Sequence, residues 1–204
     1  MDAPIQKRLT YADLGQLDPN QRWELIDGIA YAMSSPTMLH QLVIGELYLA
    51  LRHHFKKGPC RVMLAPFDVV LSDHDVVQPD LLVSCSDKLE MAFHRGAPEL
   101  AIEVLSKSTA RHDRLRKLNL YARAGVQEYW IVTPDPFLLE ILSLTPDGYL
   151  HKGTYSGNDR PRSAVFPELV LDLGELQSAL PEPPPLPGEV RETEPVYANS
   201  VQRD

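Results

Sequence analysis

No run in this chain approaches the roughly 18 uninterrupted apolar residues that a membrane helix requires, and residues 1–9 lack the apolar segment of a secretory signal. A soluble, cytoplasmic protein without a membrane partner is therefore expected. Cysteine is scarce. Cys60 and Cys85 are the two in the chain, neither lies in a C-x-x-C, and no Cys/His spacing matches a structural zinc site. Both read as reduced thiols packed like small hydrophobes. No Gly-rich loop joins a strand to a helix, which argues against a P-loop or Rossmann enzyme and leaves no nucleotide-cofactor site. No Gly-x-Ser-x-Gly marks a Ser-His-Asp hydrolase, and no internal repeat marks a solenoid. Positive charge is also short, with 20 Lys and Arg against 28 Asp and Glu for a net of −8. Nonspecific affinity for phosphate rests on clustered Lys and Arg, so a broad nucleic-acid-coating surface is disfavoured.

What remains is a chain of 204 residues, 44% of them hydrophobic, enough for one globular domain with a real core. That domain is expected over residues 1–178. Residues 179–204 are polar and proline-dense and read as an extended or disordered tail, solvated or serving as a docking segment. Thr10 and Asp13 have capping-box spacing for a short first helix. Asp27-Gly28 marks a hairpin between two strand-like arms, with Glu24 on the first. Leu39, Leu42, Val43, Leu47, Leu51 and Phe55 recur at helical spacing, ended by Gly58 and Pro59. Strands are then expected over 61–71, 76–83 and 100–105. A second helix follows, capped by Ser108 or Thr109 and ended by Gly125, and then a hairpin over 127–133 and 137–144. A further strand over 148–155 is expected beside it. The apolar Trp130, Ile131, Phe137, Leu139 and Ile141 of that hairpin suit either a core or a dimer interface.

Two carboxylates stand where burial should resist them. Asp80 closes a segment that runs from Asp75 through Pro79, and Glu103 interrupts the apolar run 100–105. An ionised carboxylate inside an apolar strand needs a cation, a hydrogen-bond network or a metal. Alternation places Ala101, Glu103 and Leu105 on one strand face. Pro79 cannot donate a ladder hydrogen bond, so Asp80 belongs at an edge, a strand end or a bulge. If the two strands pair, Asp80 and Glu103 share a site suited to a hard cation such as Mg²⁺, which takes carboxylate, water and phosphate oxygens. Lys117 stands on the helix after the Glu103 strand, either meeting that site or pairing with Asp113 four residues earlier on a solvated face. The run 107–117, with Lys107, Arg111, Arg114, Arg116 and Lys117, reads equally as a phosphate-facing rim or a solvated helix face.

Trp23 to Gly28, Val76 to Asp80, Pro98 to Ser106, Ser108-Thr109 and Lys117 to Trp130, in that order, resemble the Uma2 family, also described as DUF820, over about residues 9–144. The family is classed with the PD-(D/E)XK nucleases. The resemblance implies an α/β (α+β mixed) restriction-endonuclease-like αβββαβ core, a central mixed sheet flanked by helices with additional hairpin strands. It also implies Mg²⁺-dependent hydrolysis of DNA phosphodiesters, with Mn²⁺ as a substitute, and a homodimer. The Pro-Asp motif falls on Pro79 and Asp80 and the second acid on Glu103, both as metal ligands. The third position of Glu-x-Lys is Leu105, and the resemblance places the lysine on the following helix at Lys117. Glu24 matches the early acidic position, for a second metal or a water, or is an edge-strand surface charge. His40 and Gln41 match the start of the long helix and could line the cleft or act structurally. The rival readings are a noncatalytic nuclease-like module that binds DNA or protein, and a metal phosphodiesterase acting on RNA or small nucleotides.

Overall fold

A computed structural model describes residues 8–106 and 110–181, the side chains of 110–113 excepted. Helix α1 (Tyr11–Leu14) starts after Thr10, whose backbone N–H donates to Asp13 Oδ2 at 2.9 Å as the capping pattern predicts. Strands β1 (Trp23–Ile26) and β2 (Ile29–Ala32) form the expected hairpin. Its turn residues Asp27 and Gly28 have φ of 54° and 76°, the left-handed region that twist-matched two-residue turns need. Helix α2 (Met38–Phe55) starts at Thr37, whose side chain accepts from the His40 N–H. It buries Val43, Leu47, Leu51 and Phe55 and turns Leu42 outward.

The two long strands expected next are each broken by a proline. Strand β3 (Arg61–Leu64) ends before Pro66 and β4 (Asp68–Ser72) begins beyond it; β5 (Asp75–Val77) ends before Pro79 and β6 (Leu81–Ser84) begins after Asp80. Proline has no N–H for the ladder, so each arm can leave one sheet there. The inner halves β4 and β5 pair in one sheet and the outer halves β3 and β6 in another. A short strand that the sequence pattern did not announce, β7 (Phe93–Arg95), pairs parallel with β4. Then come β8 (Leu100–Val104), α3 (Ala110–Ala124), β9 (Glu128–Pro134), β10 (Phe137–Thr145), β11 (Gly148–Tyr155) and α4 (Leu173–Ser178). Residues 107–109, with the expected caps, and the tail beyond Pro181 lie outside the described residues.

The five-stranded sheet runs β2-β1-β5-β4-β7 and the six-stranded sheet β11-β10-β9-β8-β6-β3, with β8 and β9 parallel. Taken in chain order, α2, β3, β6, β8, α3 and β9 are the expected αβββαβ core, and β10 and β11 extend it. The fold class is as expected; the separate five-stranded sheet is an addition. One face of the six-stranded sheet, with Leu81, Val83, Leu100, Ile102 and Val132, packs on α2 and α4. The other face, with Leu82, Ala101, Tyr129 and Ile131, meets Leu120 and Tyr121 of α3 and Ile26, Val69 and Val77 of the second sheet. Each fully buried aliphatic side chain there contributes about 1.5–3 kcal/mol. Trp130, Ile131, Phe137, Leu139 and Ile141 all belong to these clusters, so they are core and not a dimer surface.

The cysteine expectation is corrected. Cys60 and Cys85 form a disulfide. The register Arg61↔Ser84 of β3 and β6 sets the residues just outside that pair directly across from one another, which the linear sequence does not reveal. The C-terminal segment is tied down by Glu128 on β9. This fully buried carboxylate accepts from Trp130 Nε1 (2.7 Å), Ser163 Oγ (2.6 Å), Ala164 N (3.2 Å) and Val165 N (2.9 Å).

Candidate active site

Strands β6 and β8 are antiparallel neighbours with Leu81 opposite Ile102, so one step along the register Asp80 stands across from Glu103. Asp80 Oδ2 accepts the Val104 N–H at 2.8 Å and lies 3.3 Å from His40 Nε2, on the first turn of α2. Glu103 shares its strand face with Ala101 and therefore projects toward α3. There Lys117 Nζ donates to Glu103 Oε1 at 2.9 Å, and Tyr121 OH, one helical turn on, donates to the same oxygen at 2.7 Å. Glu24 enters from the other sheet. Alternation along β1 puts it on the face of Ile26, toward α3, and its Oε1 lies 3.1 Å from Lys117 Nζ while accepting the Gln78 N–H at 2.9 Å.

The electrostatics are uneven. Glu24, Asp80 and Glu103 line one cavity, and Lys117, only 4% exposed, lies between Glu24 and Glu103. Burial pushes the Glu103 carboxyl up to about 8 against the pull of the Lys117 ammonium, with the Asp80 and Glu24 charges adding to the rise. Burial and the charge of Glu103 also push the Tyr121 phenol well above its ordinary value, which keeps it a neutral donor.

The sequence-derived candidates divide clearly. Asp80, Glu103, Lys117, Glu24 and His40 come together around the cavity. Lys117 is not a solvated helix lysine, and the Asp113 side chain lies outside the described residues. Glu24 is buried rather than an edge-strand surface charge. Gln41 is exposed and lines an adjoining groove instead. In the basic run, Arg114 is bound by both Glu140 oxygens at 2.8 and 2.6 Å, and the Arg116 guanidinium lies 4.0 Å over the Tyr31 ring. The sequence reading missed Tyr121, which the i+4 spacing from Lys117 could have flagged, and Tyr31 and Arg22, which also line the cavity.

Among the described residues no group of three or more His, Cys, Asp or Glu side chains is arranged to hold a metal ion. The donor set suits Mg²⁺ nonetheless. This ion commonly takes one or two carboxylates and completes its shell with waters and phosphate oxygens. Asp80 and Glu103 could supply that pair; the Glu103 carboxyl is raised first by burial and then by the Asp80 and Glu24 charges, and a cation would offset those charges.

No described helix is long and apolar enough to cross a membrane. The family model of Uma2, described as "Putative restriction endonuclease", matches residues 10–174. The crystal structure of "a putative nuclease belonging to DUF820" from Anabaena variabilis superposes with a TM-score of 0.67 at 20% identity, covering 84% of this chain and 98% of that one. An uncharacterized protein of Synechocystis sp. is 27% identical over 144 residues, 69% of this chain and 75% of the relative. The solved structure carries the fold, a nuclease-like one, and the match over most of the chain carries the family: the chain belongs to the Uma2 family.

Proposed function

We propose that this chain is a Mg²⁺-dependent endonuclease that hydrolyses DNA phosphodiester bonds, with Mn²⁺ as a working substitute. The observation that supports it is the buried Lys117 ammonium held by Glu24 and Glu103, with Asp80 across the strand pair. Asp80 and Glu103 would hold the ion, which supplies Lewis-acid polarisation of a phosphate oxygen and offsets the crowded acids. The chain's own groups do the rest. His40 and the Val104 N–H orient Asp80, and Tyr121 orients Glu103. Lys117, placed between Glu24 and Glu103, would donate to the charge that grows on the phosphorus-bound oxygens. Glu24 Oε1 is taken up by Lys117 and Gln78, and its second carboxylate oxygen would align the attacking water.

Purified protein incubated with supercoiled plasmid, linear DNA and single strands in Mg²⁺, Mn²⁺ or EDTA, beside Glu103→Ala, tests this. Cleavage that requires metal and is lost in the variant is expected; equal cleavage by both proteins would sink the assignment. One observation favours a second reading, a noncatalytic DNA- or protein-binding module: Lys117 already bridges two of the three acids, as in a purely structural ion network. Calorimetric titration separates the two, because a structural network has no reason to bind Mn²⁺ saturably and to lose that binding in Asp80→Ala.

A further inference from the structure

Four cations line the cavity, and three are engaged by neighbours. Lys117 is held by Glu24 and Glu103, Arg114 by both oxygens of Glu140, and Arg116 lies on Tyr31. Arg22 differs. Its backbone carbonyl accepts from Met33 N (2.9 Å) and Gln21 Nε2 (3.0 Å), but its guanidinium has no hydrogen bond, ion pair or ring contact among the described residues. Arg22 lines two recesses at once, the acid cavity and an adjoining groove bounded by residues 33–36, Gln41 and Pro66. The two recesses therefore adjoin at this residue and at residues 33–36.

The hairpin explains the placement. Alternation along β1 and the residue before it sets Arg22 and Glu24 on one face, about 7 Å apart by the rise of two strand residues. The pair Glu24↔Tyr31 brings the Tyr31 ring to the same face. A guanidinium presents a planar fork of donors that matches carboxylate or phosphate, and no described carboxylate takes it. The backbone rise that separates residues 22 and 24 is on the order of the spacing between neighbouring phosphates along an extended nucleic-acid strand. The depth of the site adds a second constraint. Glu24 and Lys117 are each only 4% exposed, so a phosphate must enter a recess to reach them. An extended strand can do so, whereas a duplex presents its phosphates on a stiff, broad cylinder. The chain's net charge of −8 also leaves little for the many backbone contacts that duplex binding relies on.

We infer that Arg22 receives the phosphate next to the one held at the acid and lysine cluster, and that the groove past residues 33–36 takes an extended single strand of nucleic acid. This deepens the nuclease reading and rests on it for the identity of the central phosphate. Binding of a labelled single-stranded oligonucleotide and of its duplex is measured by fluorescence anisotropy in EDTA, across a salt series. Wild type, Arg22→Ala, Arg22→Lys and a charge-matched control, Arg160→Ala, are compared.

Single strand should bind more tightly than duplex. Arg22→Ala should weaken it by roughly tenfold to a hundredfold, the range for losing one hydrogen-bonded charge. The same variant should lower the steepness of the log affinity against log salt plot by about 0.7, one phosphate's share on a single strand. Arg22→Lys should keep the salt steepness and lose part of the affinity, and Arg160→Ala should bind as wild type. Wild-type-like binding by Arg22→Ala, duplex binding as tight as single strand, or no binding by the wild type would each overturn the inference. Cleavage of the same oligonucleotide in Mn²⁺ by wild type and Glu103→Gln is scored separately: absence of cleavage removes the nuclease reading, while the anisotropy result decides the groove.

Discussion

Glu103 and Glu128 are the same residue on adjacent parallel strands, both buried, and they live in opposite circumstances. Glu128 has four donors from its own chain, so both oxygens are satisfied and its charge belongs to the fold. Glu103 also has donors, Lys117 and Tyr121, but it faces two further acids, and its carboxyl is pushed up to about 8 by burial. A buried carboxylate that is fully paired with donors anchors a segment. One that is crowded by like charges is where, on the nuclease reading, a cation would be received. Burial is common to both; what separates them is that Glu128 faces only donors, whereas Glu103 shares its cavity with two further acids.

The comparison can be broken in four places. The largest effect should be on cleavage in Glu103→Gln, a fall of about a thousandfold, equivalent to about 4 kcal/mol of transition-state stabilisation. Its unfolding midpoint in urea should hold, because a crowded charge is removed while the amide oxygen can still accept from Lys117 and Tyr121; a large drop would show that the Glu103 charge, like that of Glu128, belongs to the fold. Next, Lys117→Met leaves Glu24 and Glu103 buried without their cation, a change that costs about 3–5 kcal/mol for broken buried pairs. Adding Glu103→Gln should recover part of that loss, and a double-mutant cycle without coupling would count against the cluster. Glu128→Ala should cost about 3 kcal/mol, since several donors lose their acceptor, each unsatisfied group costing about 1–3 kcal/mol. Its signature is an early loss of protection from hydrogen exchange around residues 163–165.

The smallest test extends the contrast to a buried base. His94 is fully buried between Ser84 Oγ (2.9 Å) and the Gly96 carbonyl (3.0 Å), and burial lowers its affinity for a proton. The unfolded chain binds that proton near pH 6.5 and the folded one does not, so stability is complete above about 6.5 and falls as pH is lowered, by at most about 1.4 kcal/mol per unit until the folded group itself titrates. His94→Gln should lack that slope. A slope identical in variant and wild type would assign it to other groups.

Much of this was legible because the signals were local. Thr10 with Asp13, Asp27 with Gly28 and the stripe from Val43 to Phe55 each specify geometry within a few residues. The acid pair was legible because strand alternation and one antiparallel pairing suffice to bring Asp80 opposite Glu103. The rest depends on distant partners. Pro66 and Pro79 signal a break, but not that the two halves of each arm join different sheets. The disulfide needs the β3–β6 register, Glu128 needs a loop some 35 residues away, and β7 is three residues with His94 at its centre. Lys117 could be read either as a member of the site or as a surface partner of Asp113, because the sequence cannot show that Glu24 approaches α3 from a second sheet.

That approach has a consequence for inheritance. Glu24 comes from the five-stranded sheet, Glu103 from the six-stranded one and Lys117 from α3, so three separately built layers are riveted at one ammonium group. On the nuclease reading, a descendant that gave up catalysis would still need the rivet to keep its layers in register. The trio would then outlast turnover in a lineage, and Asp80, whose loss leaves that rivet intact, is the position whose replacement should first betray a retired enzyme.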